Sequence, residues 1–199
     1  MSHFVGLVFG DDIESNLDPY YEGIEVEPYV RYTKEEAIAE ARDRVTTTLE
    51  YLRDREPDNT KIKKWESYKT DEDFYEYAKS WGYDIDDEGN LLSTYNPKSK
   101  WDWYTTGGRW SGFLFIGETG EYVTDQCKVS EVNWDLFFKE DRTPYCFVTE
   151  DGEWHERGKM GWWGLSTGDL DKDVWVNEFK EYLETVPGDT LVTAIDFHI

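Results

Sequence analysis

A chain of 199 residues is long enough to bury a full core without disulfide or metal staples, and short enough that one domain spanning residues 1–199 is its expected organisation. Its 44 acidic against 21 basic residues leave a formal charge of −23, which argues against general binding to DNA, RNA or an anionic membrane through phosphate contacts. Ten tryptophans, 14 tyrosines and 10 phenylalanines, spread along the chain, exclude a disordered acidic tail.

Residues 3–9 are an apolar run that predicts a buried strand, closed by Gly10, Asp11 and Asp12. An acidic connection is expected over residues 13–32. Thr33 followed by Glu36 spells a capping box, and Ile38, Ala41, Val45, Leu49 and Leu52 recur at helical spacing, so a helix of about five turns runs to Arg53 or Asp54. On its solvated face Glu40 and Arg44 form an attractive i,i+4 pair. Pro57, Asp58 and Asn59 stop this helix. Phe74, Tyr77, Ala78 and Trp81 mark a second, shorter helix with Gly82 as its C-terminal cap. From Asp86 onward turn signals recur every few residues, as antiparallel strands require, and strands are predicted at 91–95, 101–105, 109–116, 121–124, 145–149 and 153–157. Residues 129–139 form a short helix or a loop. A last helix over 171–185 turns Trp175, Phe179, Tyr182 and Leu183 inward, and an apolar strand follows at 191–198. This order predicts an α+β fold: a single domain with an antiparallel or mixed β-sheet and about three helices packed mainly on one face. The first and last strands, both apolar, are candidates for neighbouring places in the middle of the sheet.

The run Asn96-Pro-Lys-Ser-Lys-Trp-Asp-Trp-Tyr-Thr-Thr-Gly-Gly-Arg-Trp110 combines stacking rings with fixed cations, a combination that suits a nucleotide-like anion. Between Asn96 and Gly112, Lys98, Lys100 and Arg109 face only Asp102, a local charge of +2 in an acidic chain. Opposing surface charge is screened beyond roughly 8 Å at physiological salt, so a small anion can still bind there. Strand alternation places Trp101 and Trp103 on one face and Asp102 and Tyr104 on the other. A short hairpin through Gly107 and Gly108 would bring Lys100 and Arg109 together. The ligand-binding candidates are therefore Lys100, Trp101, Trp103, Tyr104, Arg109 and Trp110. To these we add Trp162 and Trp163 of Gly158-Lys-Met-Gly-Trp-Trp-Gly164, where glycines allow close backbone approach and adjacent rings face opposite ways. The glycine spacing matches neither a P-loop nor a dinucleotide fingerprint.

The three histidines are His3, His155 and His198. Asp196 and His198 share a face of the last strand; if that strand pairs with the first, His3 joins them. Two imidazoles and a carboxylate can act as general acid and base near neutral pH, so His3, His198 and Asp196 are the catalytic candidates if the protein is an enzyme. No metal-ligand spacing occurs among them and no cofactor is expected. The segment Asp84 to Gly89 starts like a calcium loop, but Tyr95 stands where a bidentate Glu belongs, which leaves a surface turn. Cys127 and Cys146, without a C-x-x-C pair, are expected as small buried thiols in a reducing compartment. The apolar run at 4–9 is too short for a signal peptide or membrane span, so a cytosolic protein is expected.

With the opening Met1-Ser-His-Phe, the segment Glu25-Val-Glu-Pro-Tyr-Val, the glycine–tryptophan motif and the closing Asp196-Phe-His-Ile199, the run at 96–110 resembles a widespread group of small phage and prophage proteins that carries no settled activity. The likeness extends from residue 1 to 199, with residues 125–143 aligning to nothing. It implies a phage-encoded protein working in the bacterial host cytoplasm, with a role against host defence as its extension. Together with the aromatic, cationic run, it leads to the expectation of a counter-defence protein that sequesters a nucleotide-derived immune signal of the cyclic oligonucleotide or ADP-ribose type. Two alternatives stand beside it. One is a metal-independent phosphodiesterase that cleaves such a signal; the other is an acidic nucleic-acid mimic that blocks a host protein. The expected partner is a small nucleotide-like ligand, with no direct nucleic-acid or membrane binding, and a homo-oligomer stays open.

Overall fold

The apolar run near the start is a strand, β1 (His3–Phe9), in the computed structural model, which describes residues 2–161 and 165–199. Asp12 then caps the short helix α1 (Ile13–Leu17) by accepting the Ser15 N–H at 3.1 Å. The chain divides into two compact units, Glu25–Tyr95 and Met1–Ile24 with Asn96–Ile199. Helices and sheets occur in both, and the class is α+β as expected.

The unit Glu25–Tyr95 contains β2 (Glu25–Tyr32), α2 (Lys34–Arg55), α3 (Ile62–Trp65), α4 (Asp71–Lys79), β3 (Asp84–Ile85) and β4 (Leu91–Tyr95). Its strands form an antiparallel sheet in the order β2-β4-β3. β2 occupies part of the expected connection; it is an edge strand with an irregular register, where Pro28 costs no ladder bond within the sheet. The capping box at the start of α2 is formed: Thr33 Oγ1 accepts the Glu36 N–H at 3.2 Å, and Glu36 returns the contact to the Thr33 N–H at 2.9 Å. Glu40 and Arg44 pair at 2.8 Å on the exposed face. A second capping box, Thr70 with Asp73, starts α4. Ala37 and Ala41 on α2 let α4 approach closely, and Phe74, Tyr75 and Ala78 pack there with Val45 and Leu91.

The other unit adds β5 (Trp103–Thr106), β6 (Leu114–Ile116), β7 (Tyr122–Thr124), β8 (Gln126–Lys128), α5 (Trp134–Lys139), β9 (Cys146–Val148), β10 (Trp154–Glu156), β11 (Lys159–Met160), β12 (Ser166–Thr167), α6 (Lys172–Thr185) and β13 (Leu191–His198). Its main sheet runs β10-β9-β1-β13-β5, and β8 also pairs with β13. β1 and β13 are antiparallel neighbours from His3↔His198 to Phe9↔Val192, while β9 lies parallel to β1. One face presents Val5, Leu7, Phe9, Val192 and Ala194 to Trp175 and Phe179 of α6 and Phe137 of α5. The opposite face presents Phe4, Val8, Ile195 and Phe197, covered by Leu17 and Trp101. β1 and β13 are thus buried on both sides, which explains why they read as continuous apolar runs without alternation. Burying each such side chain contributes about 1.5–3 kcal/mol. Packing at β1 leaves no room beside Gly6: a Cβ there would stand 2.5 Å from Cys146 Sγ and 2.6 Å from the Phe197 ring.

Two predicted strands change. β5 starts at Trp103, and residues 108–110 form a 3-10 turn, so the second strand shrinks to β6. Both cysteines are free and buried. Burial pushes the Cys127 thiol up to about 11 and the Cys146 thiol well above its ordinary value. Native protein at about pH 8 should therefore resist iodoacetamide at both sites and react at both after unfolding. A raised thiol pKa makes the fold hold protons that the unfolded chain releases, so this contribution to stability is full below pH 9.0 and lost as pH rises through about 11. Urea midpoints at about pH 8 and about pH 10 should show the fall, and Cys127→Ser should reduce it.

Candidate functional site

Residues directly opposite in an antiparallel pair share a face. The pairings His3↔His198 and Val5↔Asp196 between β1 and β13, with Asp196↔Thr105 and His198↔Trp103 between β13 and β5, therefore put His3, Asp196, His198 and Trp103 together at one end of the sheet. The strand adjacency required by the histidine reading is present. His3 Nδ1 lies 2.8 Å from Asp196 Oδ1, and His198 Nδ1 lies 2.5 Å from Asp102 Oδ1. The imidazoles meet edge to face, with centroids 5.0 Å apart, and the Trp103 indole stacks on His198 at 5.0 Å and 16°. The His3, Asp196 and His198 side chains are 8%, 2% and 6% exposed, against 29% for Asp102. Trp103, 44% exposed, forms the outer layer. His198 Nε2 is buried and, among the described residues, has no hydrogen-bond partner. An orphaned buried polar atom costs about 1–3 kcal/mol, so its presence calls for a reason.

The Gly-Gly turn serves Asp196. Gly107 and Gly108 have φ of 68° and 54°, and a Cβ on Gly108 would stand 2.5 Å from Asp196 Oδ2, so glycine is needed for both conformation and clearance. This close approach lets the Arg109 N–H donate to Asp196 Oδ2 at 3.0 Å. The neighbouring amides are also committed: Gly107 donates to the Ala194 carbonyl at 2.8 Å, Trp110 to the Gly107 carbonyl at 2.9 Å and Gly112 to Asp125 Oδ1 at 2.5 Å. The loop is wrapped around two carboxylates, and the amides of Gly107, Arg109, Trp110 and Gly112 are spent within the fold rather than turned toward a phosphate.

The structure divides the expected ligand group. Trp101 precedes β5, across a bend at Asp102, and so breaks the predicted alternation. It is buried on the face opposite Trp103, donates its ring N–H to the Leu17 carbonyl at 3.2 Å and stacks on Tyr21 at 4.8 Å. Tyr104 packs edge-on against Trp101 at 5.0 Å on that same face. Lys100 is bound to Glu156 at 2.5 Å, and no hairpin brings it to Arg109 because residues 103–106 pair with β13 instead. Arg109 is exposed at the histidine end and makes no ion pair among the described residues. Trp110 is half-buried against the α6-side core. Trp162 and Trp163 lie outside the described residues. Asp102, which the alternation argument assigned to the wrong face, is the functional candidate that sequence reasoning missed. No local signal marks it, because its partner lies 96 positions away.

A separate cleft of about 640 Å³ is lined by Thr149, Glu150, Asp151, Glu153, His155 and Tyr182, among others. His155 stacks on Phe147 there at 4.6 Å, flanked by Glu178 at 3.3 Å and Glu153 at 3.7 Å. These carboxylates make the cleft a poor place for an anion. Among the described residues, no group of three or more His, Cys, Asp and Glu is arranged to hold a metal ion, and no helix is long and apolar enough to cross a membrane. Comparison of the chain with protein-family models, curated proteins and solved structures finds no match.

Proposed function

We propose that the protein binds a nucleotide-derived phosphoester at the histidine end of the main sheet and cleaves it by acid–base catalysis. The observation that carries this reading is the pairing of each imidazole with its own aspartate, His3 with Asp196 and His198 with Asp102, while the two rings touch. A carboxylate on Nδ1 fixes the tautomer and orientation of a ring and stabilises the imidazolium formed when Nε2 accepts a proton. One imidazole takes the proton of a ribose 2′-hydroxyl, and the 2′ oxygen attacks phosphorus. The bond from phosphorus to the 5′ oxygen breaks, and the other imidazole, initially protonated, gives that oxygen its proton. The products are a 2′,3′-cyclic phosphate and a free 5′-hydroxyl. The exposed Arg109 supports charge developing on the phosphoryl oxygens, and the exposed Trp103 offers a surface for a base.

Sequestration without cleavage has less support, since Lys100 is held by Glu156 and Trp101 and Tyr104 are packed into the opposite face. The phage resemblance adds the biological frame: a cyclic oligonucleotide signal of bacterial immunity as substrate, removed in the host cytoplasm. The test is to incubate the protein with cyclic oligonucleotides and ADP-ribose and follow retention and product by chromatography. Turnover of a cyclic oligonucleotide is expected, with His198→Ala lowering it by about 10²–10⁴-fold at little cost in binding, and with a chelator changing nothing. Ligand retained intact would establish sequestration instead. Activity lost in chelator and restored by a divalent ion would overturn the mechanism.

A further inference from the structure

We infer that Asp102 is a positioning residue that holds His198 as the base, with Nε2 as the nitrogen that meets the ligand; the assignment rests on the proposed esterase reading and divides the roles within it. An ionised carboxylate only accepts hydrogen bonds, so the 2.5 Å contact from Asp102 Oδ1 to His198 Nδ1 places the ring proton on Nδ1. In the neutral ring Nε2 then carries a lone pair. That nitrogen is buried and has no partner among the described residues, while the Asp102 N–H, which donates to the His198 carbonyl at 3.0 Å, already fastens the residue before β5 to β13. A lone pair held in place without a donor fits a ligand hydroxyl, the group whose proton the reaction removes.

The two aspartates differ in a way that matches this division. Asp196 is 2% exposed and spends both oxygens, one on His3 and one on the Arg109 N–H. Asp102 is 29% exposed and stands next to Trp103, whose indole covers His198. His3, held by the saturated Asp196, is left as the acid.

The test uses the full chain labelled with ¹⁵N, with the imidazole nitrogens of its three histidines resolved by NMR and assigned through His155→Gln and His3→Gln. In neutral His198 of the wild type, Nδ1 is expected to carry the proton and Nε2 to be bare, with Nε2 the nitrogen that shifts when adenosine 3′-monophosphate is added. Asp102→Ala should mix the tautomers. On the dinucleoside monophosphate ApA it should lower kcat at least tenfold with KM within about twofold, and Asp102→Glu should recover part of the loss. A proton on Nε2 in the wild type, an Nε2 that the nucleotide leaves unmoved, or a folded Asp102→Ala with unchanged kcat would each overturn the assignment. If Asp102→Ala does not fold, the wild-type tautomer and nucleotide shift decide. If the wild type cleaves no ester, the esterase reading falls, and those same two measurements still decide how Asp102 holds His198.

Discussion

Replacing Trp175 with alanine is expected to remove about 3–5 kcal/mol of folding free energy. The residue is 1% exposed, stacks on Phe147 at 5.4 Å and donates its ring N–H to the Pro144 carbonyl at 2.8 Å. It therefore ties α6 to the sheet and to the loop before β9, and its loss leaves a large void beside Phe179 and Phe137 in the same apolar cluster. Urea unfolding should show the midpoint fall with an unchanged slope. Trp175→Phe should recover most of the loss, since it keeps the stack and forfeits a hydrogen bond of about 0.5–1.5 kcal/mol net. A Trp175→Ala loss below about 1 kcal/mol would mean that α6 is not anchored through this ring.

A loss of similar size, about 3–5 kcal/mol, is expected for Asp196→Ala, because removing one member of a buried pair strands the other. The change leaves His3 Nδ1 and the Arg109 N–H without their acceptor and empties the space that Gly108 wraps. Hydrogen exchange at residues 107–112 should then accelerate along with the loss of global stability. If stability is kept while turnover is lost, Asp196 belongs to the chemistry alone. If both fall, its structural and catalytic roles are joined.

What was legible in the sequence was local. β1 and β13 followed from unbroken apolar runs, α6 from apolar residues at helical spacing, and α2 from that spacing with the Thr33 and Glu36 box that the structure forms. β2 escaped because it is an exposed edge strand with Pro28 and an irregular register, so no clean alternation announces it. The Lys100 and Arg109 hairpin failed for a related reason: residues 103–106 find their partner in β13, about ninety positions away, and no turn residue reports such a pairing. The histidine cluster needed β1 beside β13 and the register that sets His3 opposite His198, and with both in place His3, Asp196 and His198 share a face. Asp102 and Glu156 depended on where the backbone bends and on which strand edge lies opposite, and both are properties of the assembled fold.

The pairing of β1 with β13 also bears on how the protein is made. β1 leaves a ribosome well before β9 and β13, its two neighbours in the sheet, which are encoded beyond position 145. At roughly 5–20 residues per second, the apolar segment Phe4 to Phe9 waits for roughly 10–40 seconds before β13 is synthesised. Until then the apolar strand lacks its β13 partner and is open to other nascent chains, while Glu25–Tyr95, a unit with its own core, is complete well before β13 is made. The large excess of carboxylates then has a use unrelated to any ligand: like-charged chains repel one another during the period when this apolar strand is without its β13 partner.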